Sequence, residues 1–177
     1  MKLHLATEVP ESITDGAGIR YSLYTQGCHL HCPGCHNPET WSFCPDAPGS
    51  YHLDTGDLIT KIKKAKFSWG RLTLCGGDPI YQAPACIELI RRLKKLNPDY
   101  NVWAYTGLTF EHILEHADKE NQWLEYLKCI DVLVDGPFIL EQRDLTLPFR
   151  GSKNQRLIDV QRTIKKTLDT PYIVHIE

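Results

Sequence analysis

The 177-residue sequence has no apolar run long enough to span a bilayer and no signal-peptide pattern over Met1–Pro10. It has no internal repeat and no low-complexity segment. Nor is there an excess of charge of either sign: the net charge is −2 and the isoelectric point is near 6.4. These absences argue against a membrane segment and leave no electrostatic footing for nucleic acid as the main partner. The expected compartment is the cytoplasm, where thiols stay reduced. The seven cysteines, an odd number, do not read as a disulfide framework.

What is present is an ordinary globular composition, 42% apolar and 24% charged, on a length that suits one domain with a sizeable core. The chemistry concentrates in Cys28-His29-Leu30-His31-Cys32-Pro33-Gly34-Cys35-His36-Asn37. Three cysteines at C-x3-C-x2-C directly follow an apolar run. Three thiolates are one too few for a closed tetrahedral zinc site or a fully ligated cubane. A four-iron cluster held by three cysteines would keep one iron open for a substrate. A zinc knuckle completed by His29, His31 or His36 fits the same stretch, and Cys44 could supply a fourth thiolate.

The surrounding chain reads as alternating strands and helices. Asp15-Gly16-Ala17-Gly18 reads as a turn before a strand over Ile19–Gln26. Met1–Ser12 shows little pattern, and Pro38–Tyr51, with three prolines and Gly49, reads as an irregular excursion. Thr55–Lys66 has a helical stripe, capped by Asp54 or Thr55, and a strand follows at Arg71–Cys75. Pro84–Leu96 carries Cys86, Leu89, Ile90, Leu93 and Leu96 on one face, with a basic, solvated opposite face. Further strands are expected at Asn101–Tyr105, Ile130–Val134, Arg156–Val160 and Tyr172–Ile176, with helical material over residues 110–127. This alternation predicts an α/β fold with parallel strands. The chain is too short for a complete eight-fold barrel, so a partial, open TIM-like barrel of five or six βα units is expected.

Each unusual motif falls at the C-terminal end of a predicted strand: the cysteine loop, Gly76-Gly77-Asp78-Pro79, Tyr105-Thr106-Gly107 and Asp135-Gly136-Pro137. Parallel α/β folds gather those ends on one rim, where ligands bind, which favours an enzyme over a zinc knuckle. Paired glycines let backbone approach a ligand closely. Asp78 could pair with a ligand ammonium or cap a helix that starts at Pro79; Asp135 could bind substrate or close a turn. Arg150 could hold a carboxylate or a partner's backbone, and His36 could stack on a ligand ring. Cys86 and Cys129 read as core residues, whereas Cys75 ends a strand near the converging motifs.

With these motifs together, the chain resembles radical S-adenosylmethionine proteins, and among them the activating proteins of anaerobic ribonucleoside-triphosphate reductase. The resemblance rests on Asp15–Arg20, Gly27–Asn37, Thr40-Trp41, Gly76–Pro79, Trp103–Gly107, Asp131–Phe138, Arg150-Gly151-Ser152 and Asn154-Gln155. It spans about residues 15–160 of a single domain and leaves the tail 161–177 without a role. The wider superfamily often has an aromatic residue before the third cysteine, where this chain has Gly34. The resemblance implies a [4Fe-4S] cluster on Cys28, Cys32 and Cys35. It also implies S-adenosylmethionine contacts from Gly34, Cys35, His36, Gly76, Gly77 and Asp78. Tyr105, Thr106, Asp135 and Arg150 would face substrate or partner. The implied reaction is reductive cleavage of S-adenosylmethionine to a 5′-deoxyadenosyl radical, which takes a hydrogen from a glycine in the large reductase subunit. Flavodoxin or ferredoxin would supply the electron. An activase of another glycyl-radical enzyme, such as pyruvate formate-lyase, shares this chemistry, and a non-catalytic iron–sulfur or zinc module is the alternative of a different class.

Overall fold

A computed structural model describes residues 1–167 and 173–176. Its strands are β1 (Lys2–Ser12), β2 (Arg20–Thr25), β3 (Tyr51–Asp54), β4 (Arg71–Gly76), β5 (Asn101–Tyr105), β6 (Val132–Asp135) and β7 (Arg156–Asp159). The helices are α1 (Thr55–Lys64), α2 (Ala83–Leu96), α3 (Phe110–His116), α4 (Trp123–Cys129) and α5 (Val160–Thr167). Among the described residues the strands form one open sheet in the order β3-β1-β2-β4-β5-β6-β7. The run β2-β4-β5-β6 is parallel, and β1, β3 and β7 pair antiparallel with their neighbours.

This corrects the expectation of five or six parallel βα units. Two strands were missed, β1 in the segment of little pattern and β3 (Tyr51–Asp54), which starts at the last residue of the proline-rich excursion. The return to β7 runs through an irregular segment, residues 136–155, with no α-helix to make a parallel crossover, so β7 lies antiparallel to β6. Of the expected strand Tyr172–Ile176, Tyr172 lies outside the described residues. The rest runs along β7 through one bridge, His175 to Ile158. Among the described residues no helix is long and apolar enough to cross a membrane.

Period-2 alternation gives the central strands two different faces. Tyr21, Leu23, Leu72, Leu74, Val102, Ala104 and Leu133 point into the main core under the helices. There α2 contributes Cys86, Leu89, Ile90 and Leu93 as its spacing predicts, but Leu96, the last residue of the helix, is half exposed. Asp54 caps α1 by accepting from Gly56 N at 2.7 Å. The basic face of α2 is solvated and lightly paired: Arg91 with Glu125, Arg92 with Glu88, and Lys94 with Asp131. Such pairs contribute little. Cys86 and Cys129 are buried free thiols, as expected.

The opposite face carries Trp103, Val132, Val134 and Leu157, and loops rather than helices cover it. Gly16 lies so close to Trp103 that a Cβ there would stand 2.8 Å from the ring. Arg20, 1% exposed, holds this turn to the sheet. Its guanidinium donates to Thr73 Oγ1 at 2.7 Å, to Leu72 O at 2.7 Å, to Asn101 O at 3.0 Å and to Ala17 O at 3.1 Å. Burial lowers its pKa to about 10, which still leaves it charged near neutral pH.

Candidate active site

The C-terminal ends of the four parallel strands meet around one cavity of 560 Å³, within the range of small-molecule sites. The loop after β2 brings Cys28, Cys32 and Cys35 to its wall. The end of β4 brings Cys75, Gly76 and Gly77. The end of β5 adds Tyr105, Thr106 and Gly107, and Gly136 follows β6. The convergence expected from strand order is therefore present, and it includes Gly34 and His36.

The cysteine loop is tied at both ends. Gly27, at φ 100°, donates to Thr40 O at 2.7 Å, and Cys28 N donates to Trp41 O at 3.1 Å. The buried Gln26 side chain donates to Glu39 O at 3.1 Å and to Ser42 O at 3.0 Å. Within the loop Cys35 N donates to Cys32 O at 3.0 Å, and Asn37 N donates to Cys35 Sγ at 3.4 Å. Cys28 is buried, and that burial pushes its thiol up, whereas Cys32 and Cys35 are half-buried. His29 stacks on Phe43 at 4.1 Å, and His31 meets Trp41 edge-on at 4.8 Å. Among the described residues, no group of three or more His, Cys, Asp and Glu side chains is placed to hold a single metal ion. The exposed Cys44 does not line the cavity.

On the same cavity wall the glycine pair packs against the start of the cysteine loop. Gly77 N donates to Thr25 O at 2.7 Å, and Asp78 N donates to Gly27 O at 2.9 Å. A Cβ on Gly77 would stand 2.5 Å from Gly27 O. Gly76, at φ 98°, would place one 2.6 Å from Thr25 N. Only glycines let these two loops close on each other.

Asp78 sits behind this wall, 1% exposed, and does not line the cavity. Its carboxylate accepts from Ile80 N at 3.2 Å, Thr106 Oγ1 at 2.8 Å and Gly107 N at 3.0 Å. It caps the short 3-10 turn that starts at Pro79 and ties the β4 loop to the β5 loop. The capping alternative thus describes its contacts within the chain. Burial raises its pKa from 3.8 to about 6, against the lowering effect of those three donors. A carboxyl raised in this way favours the fold most below its unfolded pKa, and that contribution fades as pH rises through about 6. The difference is about 3 kcal/mol. Urea unfolding of the metal-free chain should therefore show a fall in stability between about pH 4 and 6, which Asp78→Asn flattens.

Asp135 is likewise turned away from the cavity. Fully buried, it accepts from Phe110 N at 2.8 Å and from Arg156 Nε at 2.9 Å. Arg156 also binds Glu111, and its two carboxylate partners, Asp135 first, raise its pKa. Arg150 donates to Gln155 O at 3.3 Å and does not line the cavity. Tyr105 lines it, with its hydroxyl donating to Phe149 O at 2.9 Å. Sequence reasoning missed Gln26, Leu30, Arg143 and Leu145. Gln26 directly precedes the cysteine loop, a usable signal, but nothing in the local pattern marked Arg143 or Leu145.

Residues 14–158 match the family described as a 4Fe-4S single cluster domain. The anaerobic ribonucleoside-triphosphate reductase-activating protein of Vibrio cholerae is 37% identical over 82% of this chain and 91% of its own length. The chain belongs to the anaerobic ribonucleoside-triphosphate reductase-activating protein family. The member from Haemophilus influenzae is 35% identical over 82% of this chain and 91% of its own. The one from Enterobacteria phage T4 is 32% identical over 84% and 88%. A crystal structure of QueE from Escherichia coli aligns with a TM-score of 0.46 and 17% identity, over 60% of this chain and 53% of that one. The matched span of this family member contains the whole cavity wall and all four parallel strands.

Proposed function

We propose that the chain activates anaerobic ribonucleoside-triphosphate reductase by generating a glycyl radical in its large subunit. The observation that carries this reading is one cavity lined by three cysteines of a single loop and by a glycine pair packed against that loop. Membership of the activating-protein family supports it.

The residues present fit a [4Fe-4S] cluster and S-adenosylmethionine. Cys28, Cys32 and Cys35 would hold the cluster and leave one iron open. Gly76 and Gly77 would take the methionine end of S-adenosylmethionine, and Gly34, Cys35 and His36 the adenine. Asp78 would act from behind, fixing Thr106 and Gly107 on the cavity wall. Together the two cofactors supply reductive cleavage to methionine and a 5′-deoxyadenosyl radical that takes a hydrogen from a glycine. Flavodoxin or ferredoxin would provide the electron, and the cytoplasm is the expected compartment. Helices on one face of the sheet and loops over the other fit one wall of a partial barrel.

The test is 5′-deoxyadenosine formation. Protein reconstituted anaerobically with iron and sulfide, then reduced with dithionite, should release it from S-adenosylmethionine. A well-formed cluster that releases none, even with the reductase present, would contradict the reading.

A further inference from the structure

We propose that the irregular segment Phe138–Asn154 at the cavity mouth is the docking surface for the reductase polypeptide that carries the target glycine. This rests on the activation reading above and adds the residues that receive the partner.

The segment follows β6 and precedes β7 without an α-helix or long strand, yet it is closely tied together. Arg143 bridges Ser152, Asp144 N donates to Gly151 O at 3.1 Å, and Lys153 N donates to Gln142 O at 3.0 Å. At the tip Asp144 accepts from Thr146 N at 3.0 Å and from its hydroxyl at 2.6 Å. A long ordered loop at a cavity is more often functional than incidental. Its tip holds Leu145, which lines the cavity while remaining 82% exposed. Leu140, 44% exposed, lies against Gly34 of the cysteine loop, and the exposed Arg143 also lines the cavity. A fixed apolar side chain held in water at the entrance is a ready-made contact for something larger than the cavity.

The occupant is a polypeptide because the activation reading puts the target glycine inside a protein chain, which must reach the cavity past this rim. Leu145 and Arg143, both exposed and both on the cavity wall, are the side chains such a chain meets first.

The test is binding rather than turnover. Cluster-loaded protein would be titrated against the purified cognate large subunit, with Leu145→Asp and Arg143→Glu as variants. Iron content and melting temperature equal to the unmodified protein would establish that each variant folds and loads. Leu145→Asp should weaken binding at least tenfold, and Arg143→Glu should weaken it measurably. Affinities within twofold of the unmodified protein for both variants would overturn the docking surface and leave the activation reading standing. Failure of the unmodified protein to bind the reductase at all would overturn the activation reading, and this inference with it. If Leu145→Asp instead abolished self-association in sedimentation while reductase affinity held, the rim would belong to a second copy of the chain and the proposal would fail.

Discussion

Alanine in place of Cys28, Cys32 or Cys35 is expected to leave a folded chain that holds less than a tenth of the iron of the unmodified protein. All three cysteines lie on one short loop and line the same cavity. The loop supplies only three thiolates, so removal of one leaves two there, too few to hold a four-iron cluster against exchange with solvent. The loop itself should survive, because its ends are fastened by Gly27, Cys28 and Gln26 through backbone and amide hydrogen bonds rather than through sulfur. Cys32 and Cys35 are half-buried, so their truncation leaves no enclosed void. Cys44→Ala, Cys86→Ala and Cys129→Ala should keep their iron, since none of these residues lines the cavity. Iron and sulfide analysis with the visible absorption of the reconstituted proteins checks each case. Iron lost from Cys44→Ala as well would point to a four-cysteine site.

Gly77→Ala should damage both the fold and the site. The added methyl would lie 2.5 Å from Gly27 O, 2.9 Å from Gly27 C and 3.0 Å from Thr40 O. All three are backbone atoms, so no side chain can swing aside. Relief requires the β4 loop to move off the cysteine loop, which breaks the bond from Asp78 N to Gly27 O. Crowding of this kind costs about 1–3 kcal/mol, at the upper end where the backbone must give. For a chain of this size that lowers the melting temperature by about 2–12 °C. Because the same movement opens the cradle, S-adenosylmethionine binding should weaken at least tenfold. Calorimetry and ligand titration measure the two effects. An unchanged melting temperature with unchanged binding would mean that the two loops are not in fixed contact.

Much of the site was legible because it obeys local rules. Glycine pairs, a cysteine loop and Asp-Gly-Pro each followed a short β-rich run, and parallel topology then brought them to one rim. The caps were legible too: Asp54 and Asp78 accept from backbone N–H groups two residues on, as their positions suggested. What escaped was what depends on tertiary partners. In β1 only Leu3 and Leu5 are fully buried in alternation. Beyond them the strand is interrupted by register shifts between Leu5 and Thr7 and between Val9 and Ser12, so no period-2 signal extends along it. β3 is four residues long and owes its existence to pairing with β1. The direction of β7 could have been read, because residues 137–155 carry no helical stripe and a parallel return needs a crossover. The buried ends of Asp78 and Asp135 could not. A carboxylate at a strand end looks the same in sequence whether it faces a ligand or Arg156.

A radical placed on the reductase by this chain is visible by electron paramagnetic resonance of the large subunit, after anaerobic incubation with cluster-loaded protein, S-adenosylmethionine and a reductant. A glycyl doublet is expected in the cognate reductase, absent when Cys35→Ala replaces the unmodified protein and absent from pyruvate formate-lyase treated in the same way. A doublet in pyruvate formate-lyase alone, or in neither protein despite 5′-deoxyadenosine release, would contradict the activation reading.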